Sequence, residues 1–99
     1  MAGLAAQEAT ITEWLASQKE AMLTLLRDAV NIDGGSYDKA GVDAVGQRFI
    51  DFFHANDLLT TREAHDRFGD AIHVRLDDTP SNEKPILLMG HRDTVFPKG

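Results

Sequence analysis

The apolar run Ile86-Leu87-Leu88-Met89, entered through Pro85 and closed by Gly90, constrains the fold more than any other stretch. It reads as a short strand buried on both faces, the kind found inside an α/β sheet. Directly beyond its C-terminal end stand an imidazole and a carboxylate, His91 and Asp93. In open α/β sheets that end of a strand is where ligands and catalytic groups collect. If the backbone stays extended through Gly90, side chains two apart point the same way, so His91 and Asp93 share a face. A metal-ligating His with an acid nearby to fix its ring is how zinc sites are built. Residue by residue, a plainer reading stays open. His91 also fits a hydrogen-bonded structural histidine, and Asp93 a loop carboxylate capping backbone N–H groups.

The stretch Gly90-His91-Arg92-Asp93-Thr94-Val95-Phe96-Pro97-Lys98-Gly99 resembles the first metal-site motif of the M20 metallopeptidases. That family includes glutamate carboxypeptidases, aminoacylases and succinyl-diaminopimelate desuccinylases. Its pattern is a hydrophobic strand, a small residue, then His-x-Asp followed by Thr or Val and a Val. Asp-Thr-Val-Phe trailed by Lys-Gly is most similar to the glutamate carboxypeptidase branch. The resemblance implies that His91 is a zinc ligand and that Asp93 is the catalytic-site acid that orients it.

Ninety-nine residues make at most one small domain, and 42% apolar content is enough for a core. With no cysteine, neither a disulfide framework nor a thiolate metal site can form. A formal charge of −6 speaks against a nucleic-acid partner, which calls for a basic stripe. No stretch approaches the length of a membrane span. The first residues lack the basic start and long apolar centre of a signal peptide, so the expected address is cytoplasmic.

Upstream of the motif, Thr10 and Glu13 sit at capping-box spacing. Ile11, Trp14, Leu15, Met22, Leu25, Leu26 and Ala29 then recur at helical steps, which predicts one amphipathic helix from Ile11 to Ala29 with its apolar stripe in the core. The turn-rich stretch from Asp33 to Asp38 reads as a plain loop, since its paired glycines lack the rest of a phosphate-loop pattern. A second helix follows from Lys39 to Ala55, with Val42, Val45, Phe49, Phe52 and Phe53 on its packed face. His54, near its end, is placed to interact with the helix dipole.

Leu58 to Ala64 and Ala71 to Leu76 read as strands joined in a hairpin around a turn at Asp66 to Asp70. Ile72, Val74 and Leu76 face one way, and Ala71, His73 and Arg75 the other. His65 and His73 have no matched acid at a telling spacing and read as solvated. The segment from Asp77 to Pro85 is a polar surface loop, and its paired Asp residues lack the spacing of a calcium loop.

The order helix, helix, strand, strand, strand is similar to the start of the M20 catalytic domain. The expected fold is therefore α/β, the N-terminal portion over residues 1–99 of a zinc-peptidase catalytic domain: two helices, a hairpin and a buried strand. A dinuclear hydrolase needs two metals roughly 3.5–4 Å apart, several ligands for each, and a base to activate water. In the family these come from a bridging Asp, a Glu-Glu pair, a further acid and a distal His, all downstream of His-x-Asp. The expectation is thus a fragment, itself inactive, of an enzyme with two zinc ions that hydrolyses a small peptide or N-acyl amino acid. Dimerisation through a domain outside this chain is implied for the parent. The alternative is a complete, non-catalytic α/β binding module that retains an ancestral metal-site motif.

Overall fold

A computed structural model describes residues 2–76 and 82–99. The described residues form three helices and one two-stranded antiparallel hairpin, a mixed helix/strand chain of the coarse α/β class. The chain divides into two units, Met1–Asn31 and Ile32–Gly99. No helix among the described residues is long and apolar enough to cross a membrane.

The first unit holds α1, Ala2–Ser17, and α2, Lys19–Val30, where the sequence predicts one helix from Ile11. Thr10 is not a cap. It lies inside α1 with its hydroxyl donating back to the Ala6 carbonyl at 3.0 Å. The preceding residues, rich in Ala with Gln and Glu, are strong helix formers and carry the helix upstream past the expected start. The break has a local cause. The Ser17 hydroxyl donates to the Trp14 carbonyl at 2.6 Å, and the Gln18 N–H bonds the Leu15 carbonyl, three residues back, at 3.0 Å. Such side-chain competition for helix carbonyls tightens and bends the chain. Nor does the apolar stripe form the expected core. Ile11, Trp14, Leu15, Met22 and Leu26 are exposed, while Leu25 and Ala29 are half-buried.

The second unit is built around α3, Lys39–Ala55, whose bounds match the sequence expectation. Asp38 caps its start, its carboxylate accepting from the Gly41 N–H at 3.0 Å. Its end is a Schellman arrangement, in which a residue in the left-handed region lets two later N–H groups reach back. Asp57 is that residue, at φ 61°, while its N–H bonds the His54 carbonyl and that of Leu58 the Phe53 carbonyl. Val42, Val45, Gly46 and Ile50 are the buried residues of α3. The core centres on Val42, Gly46 and Ile50 at four-residue steps, so it lies to one side of the expected aromatic stripe. Phe49 and Phe53 are half-buried, and Phe52 is exposed.

Strands β1, Thr60–Glu63, and β2, Ala71–Val74, pair antiparallel with Thr60 opposite Val74 and Arg62 opposite Ile72. Both pack on α3. The hairpin is thus as expected but shorter, and Leu76 lies beyond β2, exposed rather than aligned with Ile72 and Val74. An ion network ties the hairpin turn to α3. The Lys39 ammonium stands 2.7 Å from Asp70 and 3.0 Å from Asp43, and the Asp70 N–H donates to Asp43 at 2.8 Å. The Asp70 carboxylate, and then that of Asp43, raise the Lys39 pKa. Lys39 in turn holds Asp70 below its ordinary value, helped by the His65 N–H.

Two further corrections concern the strands. His73 does meet an acid: its ring lies 3.1 Å from the Glu63 carboxylate, with His65 3.9 Å from the same group. In the observed register His73 faces Thr61, and Glu63 lies diagonally two residues on, within reach across the strand pair. All three groups are exposed. The larger correction is Ile86–Met89. This run belongs to no ladder among the described residues, and its four side chains are 79% to 90% exposed. Apolar content alone does not make a strand; its N–H and C=O groups need neighbours on a ladder. Of the polar loop before it, residues 77–81 lie outside the described residues, and 82–85 are exposed as expected.

Candidate functional site

The motif after Ile86–Met89 is fastened to the rest of the second unit by bonds on both of its faces. On one face Arg92, half-buried, turns towards α3 and the hairpin. Its Nε donates to the Val42 carbonyl at 3.0 Å and its Nη2 to the Asp70 carbonyl, with Asp43 3.8 Å away. Gly46 makes room for this. A Cβ there would stand 2.9 Å from both the Arg92 Nε and the Ile72 side chain, so something would have to shift.

On the other face stand His91 and Asp93, as alternation along an extended backbone requires. Their side chains meet, with His91 Nδ1 3.1 Å from Asp93 Oδ1. The same nitrogen lies 3.0 Å from the Asp93 backbone carbonyl. A carbonyl and an ionised carboxylate are acceptors only, so the proton of a neutral His91 belongs on Nδ1 and the lone pair is on Nε2. The His91 side chain is 85% exposed. The sequence expectation of a shared face is met.

Asp93 is held from the far side by the loop between α2 and α3. The Ser36 hydroxyl donates to Asp93 Oδ2 at 2.6 Å. Gly35 and Thr94 form a parallel bridge. Across it the Ser36 N–H bonds the Thr94 carbonyl at 2.9 Å, and the Thr94 N–H bonds the Gly34 carbonyl at 2.8 Å. The loop fits this closely against the motif: a Cβ on Gly35 would come within 2.9 Å of the Phe96 carbonyl. The Ser36 hydroxyl holds the Asp93 carboxyl below its ordinary value, with the His91 ring adding to the effect.

Neither Ser36 nor Arg92 was singled out by spacing. Ser36 lies in a stretch that reads as a plain loop, 57 residues from the carboxylate it meets. Arg92 occupies the variable place in His-x-Asp. Alternation along the motif, which puts Arg92 on the face opposite His91 and Asp93, was its only signal. Beside the site runs an open groove of about 460 Å³, lined by Ser36, Tyr37, Asp38, Thr94, Phe96 and Lys98 among others.

Zinc sites take three or four protein ligands. His91 Nε2 has the chemistry of one, and Asp93 that of the acid behind it. Among the described residues no three His, Cys, Asp or Glu side chains are grouped to hold a metal ion. The arrangement fits one corner of a metal site. No family model matches the chain, and neither a curated protein nor a solved structure does.

Proposed function

We propose that the chain is the N-terminal portion of a zinc-dependent amide hydrolase of the M20 kind, on the glutamate carboxypeptidase branch, with a small peptide or N-acyl amino acid as substrate. The observation that carries this reading is the His91–Asp93 pair: Nδ1 engaged by acceptors at 3.0 and 3.1 Å, leaving the other ring nitrogen as the available ligand atom. The resemblance of the surrounding motif supplies the reaction class. A zinc ion held there would supply Lewis acidity for amide hydrolysis. For this chain's own residues, His91 provides one ligand nitrogen. Asp93 fixes the ring and its tautomer, and Arg92 anchors the segment that carries both. In the family that the motif resembles, the general base and the remaining ligands come from segments after His-x-Asp, so turnover is not expected of these 99 residues by themselves.

Two measurements test this. Zinc titrated into the chain is expected to bind weakly and without fixed stoichiometry, perturbing the His91 ring and failing to do so in His91→Ala. Two tight sites by calorimetry, or turnover of dipeptides that His91→Ala abolishes, would overturn the fragment reading. The coding sequence after Gly99 is expected to continue in frame into acidic metal-site motifs. A stop codon there favours a non-catalytic binding module instead.

A further inference from the structure

We infer that Ser36 is a positioning residue for the candidate metal site, its hydroxyl holding the Asp93 carboxylate where it fixes the His91 ring with Nδ1 protonated and Nε2 free. Its relevance to metal rests on the reading above, but the positioning itself does not.

The geometry assigns each atom one task. The Ser36 hydroxyl has a single proton and two acceptors in reach, Asp93 Oδ2 at 2.6 Å and the Thr94 carbonyl at 3.2 Å. The shorter, charge-assisted contact takes it. Asp93 then has one oxygen occupied by Ser36 and turns the other, Oδ1, to His91 Nδ1 at 3.1 Å. Without the hydroxyl the carboxylate would be free to rotate about its last torsion, which is broad for an Asp side chain. The ring would keep only the local contact to the Asp93 carbonyl, two residues along.

Ser36 is itself placed by backbone bonds, the Gly35–Thr94 bridge and the Ser36 N–H to the Thr94 carbonyl. Removing its hydroxyl therefore need not move the loop. Asp93 Oδ2 would lose the Ser36 donor while His91, largely exposed, would regain the tautomer freedom of imidazole in water. A loop that precedes α3 thus sets the proton position on a ring far along the chain.

The test reads the ring directly and needs no metal. Ring-nitrogen NMR shifts of His91 at alkaline pH, where imidazole is neutral, give the ratio of Nδ1–H to Nε2–H tautomers. The natural chain is expected to favour Nδ1–H. In Ser36→Ala the ratio is expected to fall about fivefold, the size of one ordinary hydrogen bond felt through the carboxylate, and Ser36→Thr to restore it. Ser36→Cys, close in size but a weak donor, shifts it in the same direction even if the Ala variant disturbs the bridge. An Nε2–H ring in the natural chain, or an unchanged ratio in both the Ala and Cys variants, would overturn the inference. Zinc added afterwards separates the two claims: a ring that shows the tautomer response but ignores zinc refutes the ligand reading and leaves the positioning role standing.

Discussion

Arg92, the variable member of His-x-Asp, ties that stretch to α3 and the hairpin turn. Arg92 satisfies two backbone carbonyls, those of Val42 and Asp70, from α3 and the hairpin turn. Replacing it with Met keeps much of the apolar stem while the Asp70 carbonyl loses its donor and the Val42 carbonyl, already bonded within α3, loses a second one. The expected loss is about 1–3 kcal/mol, the cost of stranding a partly buried acceptor, read as a lower urea midpoint. An unchanged midpoint would mean that water serves those carbonyls equally well. Asp57 offers the opposite sign. Its φ of 61° is strained for a residue with a Cβ, even though Asp tolerates it better than most. Asp57→Gly should raise stability by roughly 0.5–1 kcal/mol, the relief of the left-handed strain less the added freedom of the unfolded chain.

Between elements, the Lys39–Asp43–Asp70 network is the principal polar tie of α3 to the hairpin, and its pH dependence follows from its shifts. Asp70 sits below its unfolded value of 3.8, chiefly through Lys39. Its contribution is therefore full above that value and is lost as pH falls through the lower, folded one. Lys39 sits above 10.5, through Asp70 first and Asp43 second. Its contribution is full below that value and is lost as pH rises through the higher, folded one. Unfolding of the second unit should show a plateau between these limits, and Asp70→Asn should flatten both limbs. Limbs unaltered in that variant would place the titration elsewhere. Elements were legible in the sequence where local cues agreed. Helix α3 carries an apolar stripe led by Val42 and Val45, and the hairpin alternates around a turn. They were misread where one cue stood alone: Thr10 with Glu13 at capping spacing lies inside α1, and Ile86–Met89 had hydrophobicity without a partner strand. Of the site, the sequence carried His91 and Asp93 because side chains two apart on an extended backbone meet. It could not carry Ser36, because no local pattern specifies a contact across 57 residues.

For the whole molecule, a small core and a large apolar surface set the behaviour in solution. Among the described residues the buried hydrophobic ones are Val42, Val45 and Ile50, against the exposed run of Ile86, Leu87, Leu88 and Met89. An exposed apolar segment with unpaired backbone is a template for association. The isolated chain is expected to show helix by far-UV dichroism, a weak near-UV signal from Trp14, binding of a hydrophobic dye, and concentration-dependent association that Leu88→Lys reduces. A monodisperse monomer with a sharp melt would refute this. The bridge that joins Gly35 to Thr94 also fixes an order of events. Helix α3 and the hairpin close over short stretches of chain, but the Ser36–Asp93 bond closes a loop of 57 residues, at an entropic cost of about 3–4 kcal/mol that grows with length. The scaffold should therefore form first and the His–Asp corner last, and on the way out the corner should open while α3 is still intact. In native-state hydrogen exchange the amides of Ser36 and Thr94, both bonded across the bridge, should trade their protons well ahead of those in the middle of α3. The candidate site would then be the last part of the fold to be born and the first to come apart.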